Sequence, residues 1–235
     1  MKIAVLGDTH GRDLWKQVEA DKIIFLGDYF DSFDIKFADQ YNNFYDIIEY
    51  KKKRKDEVIL LLGNHDYHYM SWADQSYSGY QTKHGFVIQK AFVDNLEHFQ
   101  VGYQHDVQVD HQLDKFLFTH AGVTNTWWKN ITDESFSVDL LNDFLIYKPT
   151  VFGFAYNPKP HRMNSTNPYG DNIFQGPMWV RPDSLVKDSL KEYVHIVGHT
   201  HHDKMTIKEN CIFIDTLEHK KYLLFNDSII EEVCL

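Results

Sequence analysis

Five times in this 235-residue chain a short apolar run stops at side chains able to hold a metal ion. The runs precede Asp8 with His10, Asp28, Asn64 with His65, His120, and His199 with His201. Apolar runs closed by glycine or a polar residue read as buried strands. In open α/β sheets ligands gather beyond the carboxyl ends of strands, so residues distant in sequence can converge there. The pattern therefore predicts an α/β protein with one site at a sheet edge. In residues 22–31, KIIFLGDYFD, the strand delivers Asp28, whose two oxygens make it the candidate bridge between two cations. The donors are oxygen and imidazole without thiolate, which suits Mn, Fe, Zn or Mg and a catalytic site.

The segments between these runs carry helical periodicity. A short helix over residues 13–20 makes the strand over 22–28 a parallel neighbour of the first. Tyr41, Phe44, Tyr45 and Ile48 predict a helix from about residue 39, and Ile88, Phe92, Leu96 and Phe99 predict another over 85–99. Phe136, Leu140, Leu141 and Phe144 predict a helix, and a short one starts at Asp183. Alternating segments near 105–111 and 115–120 and apolar runs at 193–197, 211–215, 221–225 and 228–233 complete the strands, with a hairpin at Asn226 and Asp227. Residues 156–177 hold four of the six prolines and read as a long loop inside one domain spanning 1–235.

Composition excludes several classes. With 43% hydrophobic residues the chain has enough apolar mass for a core. It has no run long and apolar enough to span a membrane and no leader before its first strand, so a cytoplasmic protein is expected. Cys211 and Cys234 form no metal or disulfide pattern and read as packing residues. A net charge of −10 argues against broad nucleic-acid binding, while bound divalent cations would still make a local phosphate site. The basic run at residues 51–55 reads as a solvated last helical turn rather than a nucleic-acid or acidic-partner patch.

Each ligand motif has an ordinary alternative. Asp8 could cap a helix, Asn64 could hold a turn, and a single histidine is most often a surface residue. Taken together and in order, D-x-H, G-D, G-N-H-D, His and G-H-x-H resemble the calcineurin-like metallophosphoesterase superfamily, over residues 8–201. The resemblance implies a four-layer α/β/β/α sandwich of two packed mixed sheets flanked by helices, with two divalent metals, manganese first among them. It implies Asp8, His10, Asp28 and His201 as ligands of one metal, and Asp28, Asn64, His120 and His199 as ligands of the other. Such a pair shares a hydroxide for in-line attack on phosphorus. His65 would be the general acid and Asp31 the carboxylate that orients it.

THAGVT at 119–124 and the motif spacing look like the protein-phosphatase branch, including its bacterial and phage members and the symmetrical dinucleoside tetraphosphatases. Where that branch carries two phosphate-gripping arginines this chain has Ser32 and Leu62. Met178-Trp179-Val180-Arg181 resembles a W-x-R element, which makes Arg181 an expected substrate-binding residue, with Asn64 as the other. The leading expectation is a metal-dependent hydrolase of phosphate monoesters, on a phosphoprotein or small metabolite. A nucleotide hydrolase or phosphodiesterase is the alternative, with Tyr67, Tyr69, Trp72, Trp127 and Trp128 as base-stacking candidates or, preferably, packing residues. A non-catalytic scaffold on the same fold is the third. Oligomeric state is not legible.

Overall fold

The computed structural model describes residues 1–73, 76–109, 112–154, 171–226 and 229–235. Two mixed sheets carry the chain. The first has the order β11-β10-β1-β2-β3-β4, from β1 (Lys2–Leu6), β2 (Lys22–Phe25), β3 (Val58–Leu61), β4 (Phe99–Gln100), β10 (Lys221–Asn226) and β11 (Ile229–Cys234). Its four central and edge strands from β1 to β4 run parallel, and β10 and β11 are antiparallel. The second has the order β5-β6-β7-β9-β8, from β5 (Gly102–Val109), β6 (Gln112–Thr119), β7 (Val194–His201), β8 (Thr206–Lys208) and β9 (Cys211–Asp215).

Strand alternation builds the layers. Ile3, Val5, Ile24, Leu26, Ile59 and Leu61 face the second sheet and pack on Phe116, Phe118, Ile196, Ile212 and Ile214. Their neighbours Ala4, Leu6, Ile23, Phe25, Val58 and Leu60 face outward into a cluster with Phe44, Ile48, Ile88 and Phe92. Those residues come from helices α1 (Phe37–Arg54) and α3 (Gly85–Val93). Because β1 to β3 are covered on both faces, they are continuously apolar rather than alternating. On the far side, Val197, Cys211 and Phe213 pack against Leu185 of α6 (Pro182–Asp188). The one-turn α2 (Asn64–Tyr67), α4 (Asn125–Ile131) and α5 (Val138–Tyr147) complete the helices of the described residues. None of these helices is long and apolar enough to cross a membrane.

Several sequence expectations are corrected. The helix expected over 85–99 stops at Val93, where the Asn95 side-chain Nδ2 donates to the Ala91 carbonyl, and Phe99 instead pairs with Leu60 as β4. Phe99 still packs on Phe44 and Phe92, so its apolar spacing reported burial correctly and element type wrongly. The helix over 13–20 is one 3₁₀ turn, Leu14–Gln17. Cys211 is buried in the cluster with Phe213 and Leu185, but Cys234 is exposed on edge strand β11. In the basic run, Lys52 and Lys53 are exposed, whereas Lys51 donates to the Lys55 and Val58 carbonyls and Arg54 to those of Ala20 and Asp21. Lys51 thus closes the C-terminal end of α1, and Arg54 ties that end to the segment before β2. The loop expected over 156–177 falls mostly on residues 155–170, outside the described residues.

His195 of β7 is fully buried, donates Nε2–H to the Leu190 carbonyl at 3.2 Å, and leaves Nδ1 without a partner among the described residues. Burial lowers it from the ordinary 6.5 to about 4. The folded chain keeps it neutral, so its contribution is intact above pH 6.5 and is lost as pH falls towards 4. His195→Gln is expected to remove up to about 3 kcal/mol of that acid loss. Urea midpoints of both proteins across this range check it.

Candidate active site

The site lies at the carboxyl ends of β1, β2, β3 and β6 and in the distorted end of β7, where the pairing with β9 shifts register between Val197 and His201. Four of its residues occupy the left-handed region: His10 (φ 43°), Asp28 (φ 56°), Asp31 (φ 69°) and His199 (φ 63°). Such backbone costs energy for residues with a Cβ and persists where surrounding contacts dictate it. Here those contacts aim side chains back over the sheet edge.

Asp8, Asp28, Asn64 and His120 are buried. His120 Nε2 lies 2.8 Å from Asn64 Oδ1, 3.2 Å from His199 Nδ1 and 3.5 Å from Asp28 Oδ2. His199 Nδ1 is also 2.8 Å from Asn64 Oδ1, and His10 Nε2 is 3.9 Å from Asp28 Oδ2. In each imidazole the other nitrogen meets a main-chain carbonyl: His120 Nδ1 that of Leu26 (2.8 Å), His199 Nε2 that of Trp179 (3.2 Å), His10 Nδ1 that of Phe30 (2.6 Å). A nitrogen facing a carbonyl carries the proton, so the inward nitrogens present lone pairs. Three such lone pairs converge on the Asn64 amide oxygen and the Asp28 carboxylate, and Asp8 stands within 4.8 Å of Asp28 and His120. A set of acceptors with no donor among them fits a cation, and the carbonyl contacts orient the rings as metal-bound histidines are oriented.

The electrostatics agree. Burial pushes the Asp8 carboxyl up to about 7, and burial followed by the charges of Asp8 and Asp66 pushes Asp28 well above the usual range. Burial lowers His10 to about 4 and His120 to about 3, and drives His199 well below the ordinary value. Neutral imidazoles beside carboxylates that resist ionisation are the condition a divalent cation relieves, by favouring the anions.

Two glycines make the approach possible. Asp28 Oδ1 accepts the His65 amide at 2.9 Å, and a Cβ on Gly63 would stand 2.1 Å from that oxygen. Asp8 Oδ1 accepts the His199 amide at 3.0 Å, and a Cβ on Gly198 would stand 2.3 Å from it. The glycine before Asn64 and the glycine before His199 are thus required by the carboxylates lying over them. Gly63→Ala is expected to displace Asp28 and weaken ion retention about 10–100-fold, the scale of orienting contacts at metal sites. Equilibrium dialysis against graded Mn²⁺ measures it; unchanged retention contradicts the packing.

The calcineurin-like phosphoesterase family profile matches residues 1–203. The chain belongs to that family. Among solved structures, this phosphoesterase is similar to a point mutant of a cold-active protein tyrosine phosphatase at 17% identity and TM-score 0.61, over 98% of this chain and 77% of the other. It is also similar to a Saccharomyces cerevisiae protein serine/threonine phosphatase, itself described as similar to a human phosphatase, at 14% identity and TM-score 0.53, over 100% and 80% of the two chains. At these identities the likeness is one of fold. No curated protein matches by sequence.

Beside the metal-type cluster the phosphoesterase holds a second buried network. Asp31 Oδ2 accepts from His65 Nδ1 (3.0 Å) and His68 Nε2 (2.7 Å), and its Oδ1 accepts from the Tyr69 hydroxyl and Gln81 Nε2 (3.3 Å). Burial works to raise the Asp31 carboxyl, but the bonds from His65, His68 and Tyr69 outweigh it and hold Asp31 below the usual range. His68 Nδ1 accepts from the Tyr77 amide, which places its proton on Nε2 toward Asp31. The His65 ring is therefore held by a carboxylate that is itself fixed from three sides, while His65 lines the open cleft with Asp8, His10 and Arg12.

Of the residues expected from sequence, Asp8, His10, Asp28, Asn64, His120 and His199 meet in the first cluster, and Asp31 with His65 in the second. His201 lines the same cleft but is exposed, with Nε2 3.2 Å from His219 Nε2 and Nδ1 3.7 Å from Glu218. Arg181 precedes α6 and donates to the His199 carbonyl (3.3 Å) and Thr200 Oγ1 (3.1 Å), its charge acting on Asp8 and Asp28. Tyr67, Trp127 and Trp128 are buried packing residues, Tyr69 is buried with its hydroxyl on Asp31, and Trp72 is partly buried against the outer core cluster. Sequence reasoning missed Asp66, whose carboxylate accepts the amides of Asp28 (2.8 Å), Tyr29 (2.9 Å) and Gly63 (2.8 Å) and so pins the two ligand loops together. It also missed Asp215, which ends the apolar strand β9 and lines the cleft, although a strand ending in a carboxylate is the signal that found Asp28.

Proposed function

We propose that this calcineurin-like phosphoesterase hydrolyses phosphate monoesters with two divalent cations. The observation that carries the reading is the convergence of inward lone pairs from His10, His120 and His199 on Asn64 and Asp28, with Asp8 alongside, immediately beside the Asp31–His65 pair. Asp8, His10 and Asp28 would hold one ion, with His201 turning in to join them, and Asp28, Asn64, His120 and His199 the other. The ions, when bound, supply an activated water and neutralise phosphoryl oxygens. The chain's own part is then to place the ester and return a proton. Arg181, beside Asp8 and Asp28, grips phosphate oxygens in place of the arginines absent at Ser32 and Leu62, with the Asn64 amide as a further contact. Asp31 fixes the His65 ring through Nδ1–H, and His65 Nε2 delivers a proton to the departing oxygen.

The cleft favours a monoester. Its volume is about 240 Å³ and its lining is Asp8, His10, Arg12, Asp31, His65, His201, Asp215 and Glu218 with Phe33 at the rim. That space suits a phosphoryl group better than two nucleosides, and of the aromatic residues considered for base stacking Tyr67, Tyr69, Trp127 and Trp128 lie inside the core while Trp72 is partly buried and lines a separate cavity with Leu96 and Phe99. Turnover of p-nitrophenyl phosphate, bis-p-nitrophenyl phosphate and diadenosine tetraphosphate with Mn²⁺, Zn²⁺, Fe²⁺ and Mg²⁺ tests the reading. The monoester with Mn²⁺ is expected to lead. Preference for either of the others assigns a diesterase or nucleotide hydrolase, and no turnover with two ions bound assigns a scaffold.

A further inference from the structure

Outside the inner cluster, the end of β7, the turn after it and the 3₁₀ turn Leu217–His219 bring a second set of donors to the surface. His201 Nε2 is 3.2 Å from His219 Nε2, and His219 Nε2 is 3.3 Å from Asp203 Oδ1. One ligand atom from each of the three lies within 4.8 Å of the others. Ligand atoms about 2.0–2.1 Å from a tetrahedral zinc ion stand about 3.3 Å apart, so both spacings already match such a site. Two facing imidazole nitrogens can otherwise share only one proton, whereas a borderline dication satisfies both together with the carboxylate.

The scaffold around the three is fixed. Lys221 Nζ donates to the Asp203 carbonyl at 2.9 Å, and the His219 amide donates to the Thr216 carbonyl at 2.9 Å. Lys220 closes that turn in the left-handed conformation. Glu218 adds a carboxylate 3.7 Å from His201 Nδ1, and it also pairs with Arg12 at 3.3 Å. Both ring nitrogens of His201 are thus turned toward His219 and Glu218, although the residue lines the catalytic cleft.

We propose that His201, Asp203 and His219 form an outer cation site that takes Zn²⁺ and competes with the inner pair for His201. Its regulatory consequence rests on the reading above, in which His201 also serves the inner pair. Zinc at the outer site withholds that ligand and lowers turnover; at low zinc His201 is free to turn inward. The device makes the phosphoesterase sensitive to borderline metal excess while manganese, which holds imidazole less tightly, leaves the outer site empty.

The test uses the full chain loaded with Mn²⁺, titrated with Zn²⁺, with bound zinc counted by mass spectrometry after gel filtration and p-nitrophenyl phosphate turnover measured in parallel. Wild type is expected to bind one zinc ion more than His219→Ala and to lose at least about tenfold in turnover at excess zinc. His219→Ala, an exposed substitution, should keep wild-type turnover without zinc and escape the inhibition. Asp203→Asn should shift the zinc midpoint about 10–100-fold. Equal zinc counts in wild type and His219→Ala, or equal inhibition, overturn the proposal. A one-ion difference in a protein without any turnover supports the outer site and rejects the phosphatase reading instead.

Discussion

Asp28→Asn is expected to release both inner cations together and to lower turnover by about 10²–10⁴-fold. Asp28 Oδ1 is engaged with the His65 amide, so Oδ2 is the atom that faces the site, 3.5 Å from His120 Nε2 on one side and 3.9 Å from His10 Nε2 on the other. Asparagine tolerates the left-handed backbone at this position and keeps an oxygen for the His65 amide. Its NH₂ group then takes the place of Oδ2 and turns donor hydrogens toward both sites. Removing the charge that balances a buried cation costs about 3–5 kcal/mol, which is the stated range of turnover. Metal counting on dialysed protein checks it, and retention of one ion at wild-type affinity sinks the bridge. Stripped of ions, the sign of the stability change reverses. Burial raises the Asp28 carboxyl in the folded chain, so ionisation of the unfolded chain costs the wild-type fold stability as pH rises past the ordinary carboxylate range. The ion-free variant should therefore melt above ion-free wild type at neutral pH.

Legibility in sequence followed whether a residue's role was local. Asp8, Asp28, Asn64, His120 and His199 were each announced by the apolar strand that delivers them, because a parallel strand buried on both faces leaves only its end for polar chemistry. The glycines at 63 and 198 were visible, but their reason was not: it is a carboxylate from another loop lying over each. Asp66 pins two loops by main-chain amides, and nothing in a carboxylate's position in sequence reveals which amides it will meet. His68 and Tyr69 join Asp31 through tertiary contacts spanning 37 and 38 residues. His201 was placed by motif at the inner site, whereas its ring turns to His219, 18 residues on, in a 3₁₀ turn that carries no periodic signal. At Phe99 the apolar spacing of a helix and the burial of a strand coincide, and the competing principle that won was pairing with Leu60.

His65→Ala is expected to lower kcat about 10²–10⁴-fold on alkyl phosphates while both cations stay bound, since that is the range for a positioned general acid. The effect should shrink for p-nitrophenyl phosphate, whose leaving group departs as a stable anion and needs a proton least. Geometry separates this residue from the ligands beside it: His65 directs Nδ1–H at Asp31 and its main-chain amide at Asp28, while Asn64, one position earlier, supplies the oxygen shared with His120 and His199. Asp31→Asn leaves the ring in place but replaces an acceptor held below the usual carboxylate range with a neutral amide, removing the negative charge that faces His65 Nδ1. Because that carboxylate also accepts from His68, Tyr69 and Gln81, its loss leaves buried donors unpaired and should cost about 1–3 kcal/mol of stability. The two variants therefore part company. Both depress kcat on poor leaving groups with KM little changed, but only Asp31→Asn lowers the melting temperature, and their double variant should be barely slower than His65→Ala alone, as residues acting as one unit require. Loss of metal from His65→Ala, or equal losses on alkyl and nitrophenyl esters, would reassign His65 from proton donor to ligand or scaffold.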